Sequence, residues 1–208
     1  MPLLTERVVS LALAQIAHWR DQGMSVPVAV NIAPTDLTGS ELPLVVARGL
    51  REHDLPPGML QLEITERIVT HAMDEAKRNL AELRGLGVSI SLDDFGTGYS
   101  SLLRLSSLQV DEIKIDRGFI SAMSQGERAV GIVRALIDLA HTLGMPSIAE
   151  GVETAVEMRM LESLGCDGVQ GWHVARPMPA DEVTTWLRSR ASLASPLGHD
   201  DVPKLRAV

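Results

Sequence analysis

The sequence contains one cysteine, Cys166, in 208 residues. A lone thiol excludes an internal disulfide and any zinc cluster built on thiolates. Aromatic residues make up only 3%, so a core has to be assembled from Leu, Val, Ile, Ala and Met. No apolar run approaches the ~20 residues of a membrane span. The opening MPLLTERVVS lacks the basic flank and apolar block of a signal peptide. Positive charge is also in short supply: 19 Lys and Arg face 27 Asp and Glu, a formal net charge of −8. Such a chain does not grip long nucleic acids by their phosphates. It still takes a phosphate ligand if its carboxylates hold divalent cations that reverse the local field. These absences leave a cytoplasmic protein, without membrane insertion by this segment, as the expectation.

What is present reads as one globular domain, with 45% hydrophobic and 22% charged residues and enough length for a sizeable core. Two periodicities alternate along it. A helix pattern opens the chain, with Thr5 as a candidate cap and Gly23 as its end. Strands are expected at Val26–Ile32, Leu60–Thr65, Val88–Leu92, Glu112–Ile115, Ser147–Ala149 and Gly168–Val169. Helices are expected at Ser40–His53, Asp74–Arg84, Ser100–Leu105, Glu127–Leu143, Ala155–Leu164 and Ala180–Arg188. Alternation of this kind implies a parallel sheet covered by helices.

Polar residues stand at or just after the strand ends: Asn31, Glu63, Asp93, Lys114, Glu150 and Gln170. Six separate strand ends suit a (β/α)8 TIM-type barrel, whose active-site face they mark. An open sheet would concentrate them at one switch point. Such a barrel takes about 250 residues, yet periodicity stops near residue 190, and the chain opens on a helix with no strand before it. The expectation is therefore an incomplete barrel spanning 1–190, with about six of eight strands, and a frayed tail at 191–208.

Asp93-Asp94-Phe95-Gly96-Thr97-Gly98-Tyr99-Ser100-Ser101 is the densest chemical signal. Adjacent carboxylates at a strand end reach two cations about 3.5–4 Å apart, and the same run also fits an Asp-rich turn before a Ser-capped helix. Glu63 ends an apolar strand, where an inward carboxylate needs a cation or a donor; Glu66 is a candidate helix cap. Lys114 alternates with Ile113 and Ile115, as in a lumen-facing or a plain surface strand. Glu150 ends another strand, while Glu153 and Thr154 are candidate caps. Asn31 offers a neutral oxygen suited to a hard cation or a turn. The six histidines show no metal-binding spacing, and Met145, Met158, Met160 and Met178 fit core packing. Oxygen donors and one lysine, without a thiolate or histidine cluster, point to Mg²⁺ or Mn²⁺ rather than zinc. Two such cations and a positioned water make a phosphoester hydrolase.

The run from Val28 to about Pro179 resembles the EAL domain of cyclic di-GMP phosphodiesterases. VNIAPTDL, LEITER, SLDDFGTGYSSL, EIKIDRGFI, AEGVET and GCDGVQGWHVARPM occur in the family's order. The resemblance implies hydrolysis of one phosphodiester of cyclic di-GMP to the linear dinucleotide. It implies Asn31, Glu63 and Asp93 as ligands of one cation, with Asp93 bridging to a second held by Asp94 and Glu150. Lys114 would orient or deprotonate the attacking water. Glu66 would anchor the Asp93–Ser101 loop, which links the site to a homodimer contact. Asp116, Glu153, Gln170 and Pro177 would lie on the substrate side. Trp172 stands where Tyr or Phe is usual, with little consequence expected. The Glu-Ala-Leu motif that names the family has no counterpart here, nor does the arginine that follows it, which implies a first cation site lacking one ligand and a chain weak or inactive by itself. A sensor or diguanylate cyclase-like domain upstream would suit the family.

The competing reading is a non-catalytic module that binds cyclic di-GMP or a protein. An unrelated phosphate-binding fold would need a GxGxxG or GxxxxGK turn, and the sequence has neither.

Overall fold

A computed structural model describes residues 3–39, 41–65, 73–97 and 109–193. Six parallel strands form one sheet in chain order, β1 to β6: Val28–Ile32, Leu60–Thr65, Ser89–Phe95, Glu112–Ile115, Ser147–Ala149 and Gly168–Val169. Seven α-helices accompany them among the described residues: α1 Leu3–Asp21, α2 Glu41–Glu52, α3 Met73–Gly85, α4 Arg117–Ala122, α5 Glu127–Thr142, α6 Ala155–Leu164 and α7 Ala180–Leu193. This is an incomplete (β/α) barrel, with β1 and β6 as its two edges.

Helix faces explain the outer layer. Leu42, Val46 and Leu50 of α2 recur at i, i+4 and i+8 and are all buried. Val133, Ile137 and Ala140 of α5 recur at i, i+4 and i+7 and are buried likewise. Thr154 and Glu157 form a reciprocal capping box that starts α6, and Gly165 in a left-handed conformation ends it. On the outer face of the sheet, Leu60, Leu62 and Ile64 of β2 and Ile90 and Leu92 of β3 share one core with Leu13 and Ile16 of α1 and with the buried face of α2. Met145, Met158 and Met160 pack against the cores as expected.

Strand alternation then turns the other side chains inward. TIM barrels fill that space mainly with Val, Ile and Leu. Here it holds buried Glu63, Ser91, Glu112 and Lys114. Gln61 Nε2 donates to Glu112 Oε1 at 2.8 Å, and Ser91 Oγ donates to the same oxygen at 3.2 Å. A polar lumen costs core stability, so each member has to be paired.

At the opposite ends of the strands, Asp167 ties β5 to α5. Its Oδ2 accepts from Ser147 N at 2.8 Å and Ser147 Oγ at 2.9 Å, and lies 2.8 Å from His141 Nε2.

Four expectations change. Thr5 lies inside α1 rather than capping it, and its hydroxyl donates to Asp36 Oδ2 at 2.5 Å. The third strand runs on to Phe95, past the expected end at Leu92. Asp116 starts a short helix, α4, that carries too few residues to show a period. The last helix continues through residue 190 to Leu193. The expected helix Ser100–Leu105 and residues 194–208 of the tail lie outside the described residues.

Candidate active site

Lys114 stands at the centre of the inner face. Its Nζ lies 2.5 Å from Glu63 Oε1 and 2.5 Å from Glu150 Oε1. The lysine and Glu63 side chains are each 3% exposed. A buried charge costs several kcal/mol unless it is paired, so this arrangement is held by its own ion pairs. Burial disfavours the ammonium, but Glu63 and Glu150 together outweigh it and hold the Lys114 pKa above its ordinary value. One ammonium serves two carboxylates. Burial pushes Glu63 up, against the pull of Lys114. Glu150 is pushed up to about 6, by burial first and by Asp93 and Glu63, again against Lys114.

A bulge in β3 brings in the other carboxylates. Leu92 pairs with Ile113 and Phe95 with Ile115, so Asp93 and Asp94 together oppose the single residue Lys114. In a regular strand they would emerge on opposite faces; a bulge re-aims one of them. Asp94 adopts φ 57°, a left-handed conformation that Asp tolerates better than most residues. Asp93 Oδ1 accepts the Asp94 N–H at 2.9 Å. The outcome is a convergent trio: one carboxylate oxygen each from Asp93, Asp94 and Glu150, all within 4.8 Å of one another. Burial, then Asp93 and Asp116, raise the Asp94 pKa.

Comparison with known proteins decides the family. The family model "EAL domain" matches residues 1–177. The chain belongs to the EAL domain family. It is 40% identical over 179 residues to the bifunctional diguanylate cyclase/cyclic di-GMP phosphodiesterase MucR of Pseudomonas aeruginosa, covering 86% of this chain and 26% of MucR. It is 35% identical over 183 residues to the oxygen sensor protein DosP of Escherichia coli, covering 88% and 23%. Among solved structures, PaMucR phosphodiesterase in its c-di-GMP complex superposes with a TM-score of 0.82 at 40% identity, covering 86% of this chain and 73% of that one. The EAL domain of Mycobacterium smegmatis DcpA gives 0.85 at 36% identity, covering 90% and 85%. The chain spans about a quarter of the length of the curated relatives it matches, 22% of one and 26% of MucR.

The EAL residues fit a hard divalent cation. Every donor in the trio is a carboxylate oxygen, and the upward shifts of Asp94 and Glu150 reflect burial and mutual repulsion that a cation relieves. The other expected ligands stand around this trio. Glu63 is engaged by Lys114. Asn31 sits opposite Glu63 in the β1–β2 register, but is exposed on the edge strand. Glu66 lies outside the described residues, as do residues 98–101 of the Asp93–Ser101 loop.

The expected substrate-side residues divide. Asp116 caps α4, its Oδ1 accepting from Gly118 N at 2.9 Å. Glu153 is not the cap of α6, which is Thr154; it pairs with Arg117 at 2.8 Å. Gln170 and Pro177 line a cavity of about 300 Å³ between β1, α7 and Trp19, together with Met178; none of the three carboxylates is among its lining residues. The Gln170 Oε1 is buried without a partner among the described residues. Sequence reasoning missed Arg117 and Arg176, whose guanidinium carbons lie 5.8 and 5.1 Å from the Trp172 ring centroid. Their one sequence signal was position, each directly after a loop residue already singled out or directly before Pro177.

Proposed function

We propose that this domain hydrolyses one phosphodiester of cyclic di-GMP to the linear dinucleotide, using Mg²⁺ or Mn²⁺ held by the Asp93–Asp94–Glu150 trio with Glu63 and Asn31. The observation that carries the reading is the bulge, which aims two consecutive carboxylates at a lysine already bound to Glu150. Relatives support it: MucR bears the phosphodiesterase name and its solved form is a c-di-GMP complex. When bound, a hard divalent cation supplies charge that polarises a phosphoryl oxygen and acidifies water.

The chain's own residues do the rest. In the overall reaction a water oxygen bonds to phosphorus, the P–O bond to one ribose oxygen breaks, and that oxygen leaves as a hydroxyl carrying a proton from the water. Of the two roles open to Lys114, donor and base, its raised pKa favours donor. Two of its three N–H groups serve Glu63 and Glu150, and the third is left for the water or a phosphoryl oxygen. Glu150, at about 6, is a carboxylate at neutral pH and takes up a proton readily. Glu66 retains its proposed role as anchor of the Asp93–Ser101 loop and, through it, of a homodimer. A cytoplasmic location is part of the same reading.

Turnover by these 208 residues alone is expected to be slow, because the family's Glu-Ala-Leu glutamate has no counterpart in them and Mg²⁺ tolerates an imperfect ligand set badly. One observation favours the alternative of binding without hydrolysis: Asn31 is exposed on the edge strand β1. The deciding experiment follows cyclic di-GMP by chromatography with Mg²⁺, with Mn²⁺ and with chelator, for the wild type and Asp93→Asn. Linear dinucleotide that depends on both cation and Asp93 supports the enzyme. Binding with no product over many hours moves the domain to the receptor class.

A further inference from the structure

We propose that Arg117 and Glu153 are a positioning pair for Glu150: their ion pair across two loops holds the Glu150 carboxylate where it shares a divalent cation with Asp93 and Asp94. The inference rests on the cation reading above and gives Glu153 a role other than contact with the substrate.

Glu150 follows a strand of only three residues, Ser147–Ala149, and leads a loop that runs to the Thr154 cap of α6. A ligand on a loop stays in place only if its surroundings lock it. Backbone fixes the loop at several points. Glu150 N donates to Ile115 O at 3.0 Å, and Val152 N to Gln170 O at 3.0 Å. Glu153 N and Thr154 N both donate to Glu157 Oε2 at 2.9 Å.

Arg117 supplies the side-chain clamp. Gly151, next to Glu150, turns at φ 66°, and the stem of Arg117 lies against it. A Cβ on Gly151 would fall 2.6 Å from Arg117 Cβ and 2.7 Å from its Cδ. Past that crossing the guanidinium reaches Glu153, Nη2 lying 2.8 Å from Oε1. Arg117 is the first residue of α4, directly after the Asp116 cap and three places beyond Lys114. One side chain thus spans the loop from Gly151 to Glu153 and ties it to the strand end that carries Lys114, which itself binds Glu150. Both members of the pair reach solvent, where an ion pair adds little to global stability. A group that orients a metal ligand without touching the metal carries more weight, about 10–100-fold in metal affinity.

Charge gives the test its sign. Through the field alone, removing the Arg117 cation would favour a bound metal ion and removing the Glu153 anion would disfavour it. Loss of positioning weakens binding in both. The experiment is calorimetric titration of the 208-residue chain with Mn²⁺, with a denaturation midpoint for each variant. Arg117→Ala and Glu153→Gln are each expected to weaken Mn²⁺ about tenfold, the double variant no more than either alone, with midpoints near wild type. Glu153→Gln leaves Arg117 its contact with the Trp172 ring, 5.8 Å away, and so reads the pair itself. Arg117→Lys keeps stem and charge and is expected to stay within about threefold of wild type. Tighter Mn²⁺ binding by Arg117→Ala makes Arg117 a distant charge and overturns the proposal, as does unchanged affinity in Glu153→Gln; both leave the proposed hydrolysis standing. Weaker cyclic di-GMP binding by Glu153→Gln at saturating Mn²⁺, with Mn²⁺ affinity intact, returns Glu153 to the substrate and also overturns it. Absence of Mn²⁺ binding by the wild type overturns the cation reading and this inference together.

Discussion

Asp94 donates its backbone N–H to the carboxylate of Asp93 at 2.9 Å while its own φ is 57°. Position 94 therefore carries a left-handed backbone and the proposed role of cation ligand, and substitutions separate the two. Asp94→Asn keeps the backbone tolerance and removes the charge, so calorimetric Mg²⁺ binding should fall while the denaturation midpoint holds. Asp94→Ala should lose the same binding and in addition be less stable than Asp94→Asn by about 1 kcal/mol.

Glu150 sets a pH dependence in chelator-treated protein. Its folded pKa, about 6, is above the ordinary 4.5. A carboxyl raised in this way holds its proton better folded than unfolded, so stability is greatest below 4.5 and declines as pH rises through 6. Glu150→Gln should remove that decline: denaturant melts should find the variant more stable than wild type at pH 8 and no longer so at pH 4.5. Mg²⁺ should raise the wild-type melting temperature more at pH 8 than at pH 5, and should not do so in Glu150→Gln.

Asp167 sets the opposite slope. Burial opposes its charged form, yet the Ser147 backbone N–H, His141 and the Ser147 hydroxyl outweigh it and hold the carboxyl below its ordinary 3.8. A depressed carboxyl stabilises the fold above its unfolded pKa, and that contribution is lost as pH falls through the folded value. Asp167→Asn should be less stable at pH 7, and the gap to wild type should close as melts are run toward pH 3.

Gly171 is fixed by contact with backbone. A methyl group there would meet Val152 N and O at 2.3 Å, atoms that cannot rotate away. Gly171→Ala should cost about 2 kcal/mol or more in denaturant unfolding. If product formation and stability fall together, the two loops move as one unit.

Much of the sheet was legible because parallel strands are short apolar runs between helices. β2, β4, β5 and β6 lie where periodicity placed them, and β1 begins at Val28. β3 was cut short at Leu92 because two aspartates look like the end of a strand. Pairing in fact resumes at Phe95, and no local propensity reports a bulge that depends on the register with β4. Alternation left Lys114 open between the lumen and a plain surface strand, and Glu63 was legible from its place at the end of an apolar strand; the structure buries both. Their shared ion pair with Glu150 was not legible, since three separate strands must close before it exists. Arg176 escaped because an exposed arginine in a loop has no periodicity; only the nearby indole makes it noticeable.

The bulge also has an evolutionary meaning. Two residues occupy the space of one in β3, so removing either would leave a sheet with the same strands, the same order and the same buried faces. Such a protein would keep the family's shape and most of its sequence motifs, with one acid where the proposed chemistry uses two. On the proposed chemistry a single-codon deletion would remove one ligand without disturbing the sheet, so strand length at this position is as telling as the identity of its carboxylates.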